Sequence, residues 1–332
     1  MSRITYVSRV LCAVAFNSVA WATVPIFQPL GDLAGGPFES MALGVSADGN
    51  TIVGQGAPRW PAGDDFGWEA VRWDATGVMT GLENLPGWPA TTATGASADG
   101  SVLSVTARNG NYGEYSRACG WTAASGLQNL GTLGGPTGHR ASFTSGISAD
   151  GTTIVGDSTS SAGLQAFRWT EADGMVELGY LSNGAFSYAT GVSGDGHVIV
   201  GNGYSSFPEA FRWTPSEGIV GLGRPAGAAG TLAEAVSVDG TTIVGRSTSS
   251  TTRDRGFRWT ESDGFVDLGL PPGPGGSVNP RGVSGDGSFI GGWYGIPVEG
   301  DPDAEWMTAF IWDTQHGVRD LKDLLLTFGL DA

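Results

Sequence analysis

The string Ser-x-Asp-Gly begins at Ser46, Ser97, Ser148, Ser193, Ser237 and Ser284, at intervals of 44 to 51 residues. A tryptophan follows in phase, at Trp73, Trp121, Trp169, Trp213, Trp259 and Trp312. Three motifs thus recur in a fixed order: the acidic turn (Asp48, Asp99, Asp150, Asp195, Asp239, Asp286), a Phe-Arg-Trp-like string, and a Leu-Gly pair. The string Ala-Phe-Arg-Trp-Thr occupies residues 166–170 and again 210–214. Self-similarity at this period fixes the architecture before any single element is read.

Each unit reads as four short strands. In the third repeat they fall at 144–148, 152–155, 166–170 and 175–180, with Asp-Gly turns after the first and third. Asp-Gly favours the positive φ angles of a tight hairpin, and the strand segments are rich in β-branched residues. A unit of about 47 residues with four antiparallel strands is a propeller blade. The chain is therefore expected to be all-β, a propeller of six four-stranded repeats. A solenoid coil runs shorter and needs no pair of hairpins, and a sandwich does not require the strict period. Stacked blades bury both sheet faces, which suits a third strand with Phe167 and Trp169 on one side and Arg168 on the other. A buried Arg needs a partner. Arg72, Arg168, Arg212 and Arg258 are expected to meet Asp or carbonyl groups at the Asp-Gly turns. The alternative, an arginine ring reading an anion, is disfavoured by Gly120 and Ile311 at the same position.

Closure is ambiguous from sequence. Residues 27–36 match the fourth strand of a unit, yet repeat 6 has its own fourth strand near 318–321. Either six blades close and one segment is redundant, or a seventh blade lacks its first three strands. Residues 322–332 read as a short helix.

Composition bears on compartment and partner. Hydrophobic residues make up 40%, enough for a large core, and 56 glycines punctuate the turns. There are 17 basic and 33 acidic residues, net −16, and the sole lysine is Lys322. Such a surface repels phosphate backbones and anionic lipid, so neither nucleic acid nor a membrane surface is an expected partner. Arg3 and Arg9 precede an apolar run over 10–21 that ends in Ala20-Trp21-Ala22, the pattern of a secretory leader cleaved after residue 22. The expected division is a signal peptide over 1–22 and one propeller domain over 23–332, secreted to the periplasm or beyond, not inserted in the membrane, and monomeric. Cys12 lies in the leader. Cys119 then has no partner for a disulfide and reads as a small buried hydrophobe.

The units resemble the HAF-type extracellular repeat of bacterial secreted proteins. The resemblance rests on Gly-Ile-Ser-Ala-Asp-Gly-Thr-Thr-Ile-Val-Gly at 146–156, Ala-Phe-Arg-Trp-Thr at 166–170 and Leu178-Gly179, and it covers about residues 27 to 325. It departs at the His that can precede Ala-Phe, where Gln165, Glu209 and Thr308 stand. The resemblance implies secretion and no established chemistry. A likeness of Ser-x-Asp-Gly to the Asp-box of sialidases fails, because here Asp and Gly are adjacent and the closing aromatic is missing.

No catalytic constellation is legible. His139, His197 and His316 fall in different repeats without metal-ligand spacing. No nucleophile elbow stands out, and the Asp-Gly turns lack the spacing of an EF-hand. Carboxylate pairs for glycoside hydrolysis could come from separate blades, so an enzyme acting on polysaccharide stays open as the alternative. No catalytic residue, cofactor or metal is assigned, and calcium among the loop acids stays open.

Loop length carries the functional expectation. The connection between the second and third strands has 15 residues in repeat 1, 12 in repeat 2 and 16 in repeat 6, against 8 to 10 elsewhere. On a closed ring these three repeats are neighbours, so their loops form one wall. It holds Trp60, Phe66, Trp68, Tyr112, Tyr115, Trp293, Tyr294 and Trp306, beside acids such as Asp64, Asp301 and Glu305. Aromatic planes next to carboxylates suit a glycan or another extracellular protein. The expected function is a non-catalytic binding module. The other readings are the polysaccharide enzyme on the same face, and a spacer whose rings pack locally and cap the blades.

Overall fold

The computed structural model describes residues 30, 31, 33, 39–57, 67–109, 115–135, 140–249, 253–271, 276–298 and 301–330, with the backbone alone at 301–305. The expected leader, and with it Cys12, lies outside the described residues.

Six antiparallel four-stranded sheets follow one another along the chain. Blade 1 comprises β1 (Ser40–Val45), β2 (Ile52–Gly56), β3 (Glu69–Trp73) and β4 (Met79–Gly81). Blade 2 comprises β5 (Ala90–Ala96), β6 (Val102–Arg108), β7 (Ser116–Thr122) and β8 (Gly126–Asn129). Blade 3 comprises β9 (Ser142–Ile147), β10 (Ile154–Ser160), β11 (Gly163–Thr170) and β12 (Gly174–Gly179). Blade 4 comprises β13 (Ser187–Val192), β14 (Ile199–Tyr204), β15 (Pro208–Thr214) and β16 (Gly218–Gly221). Blade 5 comprises β17 (Gly230–Val236), β18 (Ile243–Thr248), β19 (Arg255–Thr260) and β20 (Gly264–Asp267). Blade 6 comprises β21 (Val278–Val283), β22 (Phe289–Val298), β23 (Asp301–Asp313) and β24 (Gly317–Asp320), and a helix, α1 (Leu321–Thr327), follows it. The fold is the expected six-bladed β-propeller, each blade complete in itself.

The Ser-x-Asp-Gly turn is larger than the tight turn expected between residues 148 and 152. In blade 3 Ile147 pairs with Ile154, which leaves six residues between the strands. They are knitted by side chains. Ser148 Oγ donates to Asp150 Oδ1 at 2.5 Å and accepts the Thr153 N–H at 3.0 Å, while Asp150 Oδ1 also accepts the Thr152 N–H at 2.9 Å. Gly151 has φ 74°, the left-handed conformation that glycine adopts without a Cβ penalty. The same pattern holds from Ser46 to Thr51 and from Ser284 to Phe289. These turns also join the blades around the central channel. Asp48 N–H bonds the Ala98 carbonyl, Ala98 the Ala149 carbonyl, Asp150 that of Gly194, Gly194 that of Val238, and Asp239 that of Gly285.

A second latch explains the other two motifs. In blade 4 the Ser187 hydroxyl accepts the Ala166 N–H of blade 3 at 3.0 Å and donates to the Gly179 carbonyl at 2.6 Å. Ser142 and Thr231 do the same for Ala118 and Gly131, and for Ala210 and Gly223. The Ala that opens the Phe-Arg-Trp string and the Gly of Leu-Gly are thus the two backbone ends of one inter-blade bridge.

Apolar cores lie between blades. One cluster joins blades 1 and 2 around Val53, Leu103 and Cys119; another joins 2 and 3 around Ala118, Ile154 and Phe167. Further clusters join 3 to 4, 4 to 5, and 5 to 6. Burial of Cys119 pushes its thiol up to about 12, as befits a structural residue.

The sixth joint differs. Among the described residues no such cluster and no turn-to-turn hydrogen bond spans blades 6 and 1. Ala309 is exposed where its counterparts Ala70, Ala118, Ala166 and Ala210 are buried. Ile52 is half-buried where Leu103, Ile154, Ile199 and Ile243 are fully buried. The central channel, a cavity of about 690 Å³ lined by residues of all six blades, extends into this joint between Val45 and Ile52 on one side and Ile290, Ile311 and Leu321 on the other. Two described residues of the segment that resembles a seventh fourth strand touch blade 1: Trp73 Nε1 donates to the Gly31 carbonyl at 2.9 Å, and Leu33 lies beside Gly56.

Candidate functional site

A propeller has two faces. One carries the Ser-x-Asp-Gly turns and the turns into the fourth strands. The other carries the connections between second and third strands and the links between blades.

On the first face the charged groups are consumed locally. Arg168 reaches Asp173 at 3.1 Å, Arg212 reaches Glu217 at 2.8 Å and Arg258 reaches Asp263 at 3.2 Å, each across its own turn. The partners are the acids that precede the turn glycines Gly174, Gly218 and Gly264, not the Asp of Ser-x-Asp-Gly. Where the arginine is replaced by Gly120 or Ile311, the acid is replaced too, by Ser125 and His316. Arg72 has no acid at that place and lies over the Trp121 ring, 5.8 Å from its centroid. The Ser-x-Asp-Gly carboxylates accept hydrogen bonds within their own turns. Those from the Ser101 backbone and side chain, and then from Ser97, hold Asp99 down to about 2. The repeat tryptophans are packing residues: Trp73 and Trp312 are buried, and Trp121, Trp169, Trp213 and Trp259 are half-buried.

On the second face the expected aromatic wall separates into parts. Trp60, Phe66 and Tyr112 lie outside the described residues. Trp68 is half-buried and Tyr115 is 50% exposed, each just ahead of its third strand. The expected 16-residue loop of repeat 6 is mostly strand, because β22 and β23 continue outward as a long hairpin in which Ile296 faces Trp306. Trp306 is 68% exposed on that arm. Trp293 lies on β22, half-buried, and its buried indole N–H has no hydrogen-bond partner among the described residues. Tyr294 is buried in the core between blades 5 and 6 and donates to Asp320 Oδ2 at 2.8 Å. Burial raises its phenol, and the ring does not face solvent. Asp320 also accepts from Thr308 and caps α1 through the Lys322 and Asp323 N–H groups.

The structure adds an aromatic group that loop length does not reveal. On blade 4, Phe186 and Tyr204 are 37% and 42% exposed on the second face. The Phe186 ring lies 6.5 Å from that of Tyr188 at an interplanar angle of 8°, and 6.2 Å from that of Tyr204.

In chemistry the described residues offer little. No group of three or more His, Cys, Asp or Glu among them is arranged to hold a metal ion. His197 is exposed beside Asp195, and His316 is held by Asp313 at 2.9 Å in a turn. No described helix is long and apolar enough to cross a membrane.

No protein-family model matches the chain. No curated protein is similar to it in sequence. Solved structures share the fold. TolB from Acinetobacter baumannii superposes with a TM-score of 0.53 at 12% identity, over 82% of this chain and 63% of that one. A structure from a study of two prolyl endopeptidases gives 0.57 at 12% identity, over 83% of this chain and 42% of that one. Prolyl oligopeptidase B from Galerina marginata gives 0.50 at 10% identity, over 84% and 39%. The chain spans less than two thirds of each of these proteins, and at such identities the likeness is one of β-propeller fold alone.

Proposed function

We propose that the chain is a non-catalytic binding module, secreted like the HAF-type repeat proteins it resembles, that presents its second face to a glycan or an extracellular protein. One observation carries this reading. Large aromatic rings stand exposed on the second face, at Trp306 and Tyr115, whereas the first face spends its polar groups on its own turns. Rings held on a rigid sheet bind at small entropic cost. The acidic surface favours a neutral or cationic partner over an anionic one. The likeness to prolyl endopeptidases lends no support to an enzyme, since it concerns fold alone.

The test is a binding screen of the full chain against soluble polysaccharides and cell-envelope fractions, with and without calcium, beside a Trp306→Ala/Tyr115→Ala variant. Loss of binding in a variant that melts like the parent supports the reading. Absence of binding by a well-folded parent overturns it and favours a spacer.

A further inference from the structure

We propose that Phe186 and Tyr204 on blade 4 form a carbohydrate platform of their own that takes the pyranose ring of a neutral glycan. The proposal rests on the reading of the second face as the binding face, and it places the contact away from the arm of blade 6.

The repeats supply the internal comparison. Ser187 pairs with Gly203, so Phe186 and Tyr204 are the next cross-strand neighbours at the rim of the blade. At the place of Phe186 blades 3, 5 and 6 carry Ala141, Gly230 and Ser277, and at the place of Tyr204 they carry Thr159, Thr248 and Gly295. Those blades fold with a small residue or a threonine there, so the rings answer no need of the repeat. Neither ring belongs to the apolar cluster that joins blade 3 to blade 4. Both are nonetheless ordered by neighbours: Tyr188 lies nearly parallel to Phe186, and the Tyr204 ring is inclined 32° to it.

The surroundings define the ligand. The axial C–H face of a pyranose is apolar and flat, and its edge is a belt of hydroxyls. An exposed ring bordered by hydroxyl, amide and carboxylate groups matches both. Here the border is polar. Ser205 Oγ donates to Glu209, whose other oxygen accepts the Gly223 N–H at 3.0 Å. Beneath this border the Tyr180 hydroxyl is buried near Gly163 and has no hydrogen-bond partner among the described residues. The neighbouring cation, Arg224, is drawn over the Phe207 ring at 4.1 Å. A carboxylate at the rim and an occupied guanidinium select against an anionic sugar.

The experiment measures retention of the full chain by affinity electrophoresis in gels containing laminarin, xylan, galactomannan or dextran. Four proteins are compared: the parent, Phe186→Ala/Tyr204→Ala, Phe186→Leu/Tyr204→Leu and Trp306→Ala. Retention of the parent by at least one polysaccharide is expected, with a loss of about tenfold or more in both blade 4 variants whether or not Trp306→Ala, on its separate arm, loses retention as well. The leucine pair keeps apolar bulk and removes the flat ring, so its loss distinguishes stacking from mere hydrophobicity. Loss in Trp306→Ala with the blade 4 variants unchanged overturns the platform and leaves the broader reading intact. No retention of a folded parent overturns the platform too, and the envelope-fraction screen then decides the broader reading alone.

Discussion

Asp157 shows what one atom type costs at a blade joint. The position after the second-strand glycine faces the inner strand of the next blade. Asn202, there in blade 4, accepts the Ala233 N–H at 2.7 Å and donates to the Ala233 carbonyl at 2.9 Å. Gln55 and Thr106 make comparable bonds to Thr92 and Thr144. Blade 3 has an aspartate, and burial pushes its carboxyl up to about 7. A carboxyl raised above its unfolded value of about 3.9 binds more protons folded than unfolded, so stability falls as pH rises from about 4 to about 7. Asp157→Asn removes that loss and can copy the Asn202 pairing. We expect it to raise the melting temperature at pH 8 by several degrees, of the order of 1–4 kcal/mol, and to change little at pH 4. A scan of melting temperature against pH for both proteins checks this. The Arg–acid pairs have the opposite standing. Asp173, Glu217 and Asp263 are all more than half exposed. Arg168→Ala is therefore expected to cost no more than about 1 kcal/mol in urea unfolding.

At the scale of the element, the bridging hydroxyl outweighs those ion pairs. Ser187 is fully buried and serves one backbone donor and one acceptor. Ser187→Ala strands both, at a cost of about 1–3 kcal/mol each way the bridge is counted. Ser40 occupies the same place in blade 1, where no latch to a preceding blade is present among the described residues, and Ser40→Ala is expected to cost much less. Paired urea titrations give the difference. This bridge also marks the limit of what the sequence could say. The strands and blades were legible because hydrophobic alternation and turn residues repeat six times. The turn was not legible as six residues, because its closure depends on Ser148 and Asp150 side chains rather than on the Asp-Gly dipeptide. Tyr294 looked like a loop ring. Its burial depends on Asp320, 26 residues away, which spacing does not connect to it. Loop length does not reveal Phe186 and Tyr204, because Tyr204 lies in the shortest expected connection between second and third strands and Phe186 in the link between blades; only their columns in the aligned repeats mark them.

For the whole molecule the decisive asymmetry is the joint between blades 6 and 1. Five interfaces carry an apolar cluster each, and burial of that kind stabilises by roughly 25 cal/mol per Å². At the sixth, no such cluster is present among the described residues, and the central channel reaches in between Ile52 and Ile311. Among the described residues, blades 1 and 6 are therefore each latched to one neighbour only, in the manner of terminal units in a linear array. Native-state hydrogen exchange is expected to open β1 and the outer part of β23 first and the central strands β10 and β14 last. Uniform protection across all six blades would show the sixth joint to be as firmly closed as the rest.

That unlatched joint bears on copy number. A ring sealed at every joint admits a new unit only by breaking an interface already made. Here a duplicated unit would meet Val45 and Ile52 with one face and Ile311 and Leu321 with the other, and the five latched interfaces would adjust their angles without being broken. Gain or loss of a whole coding unit at that place thus leaves every existing latch with its own partner.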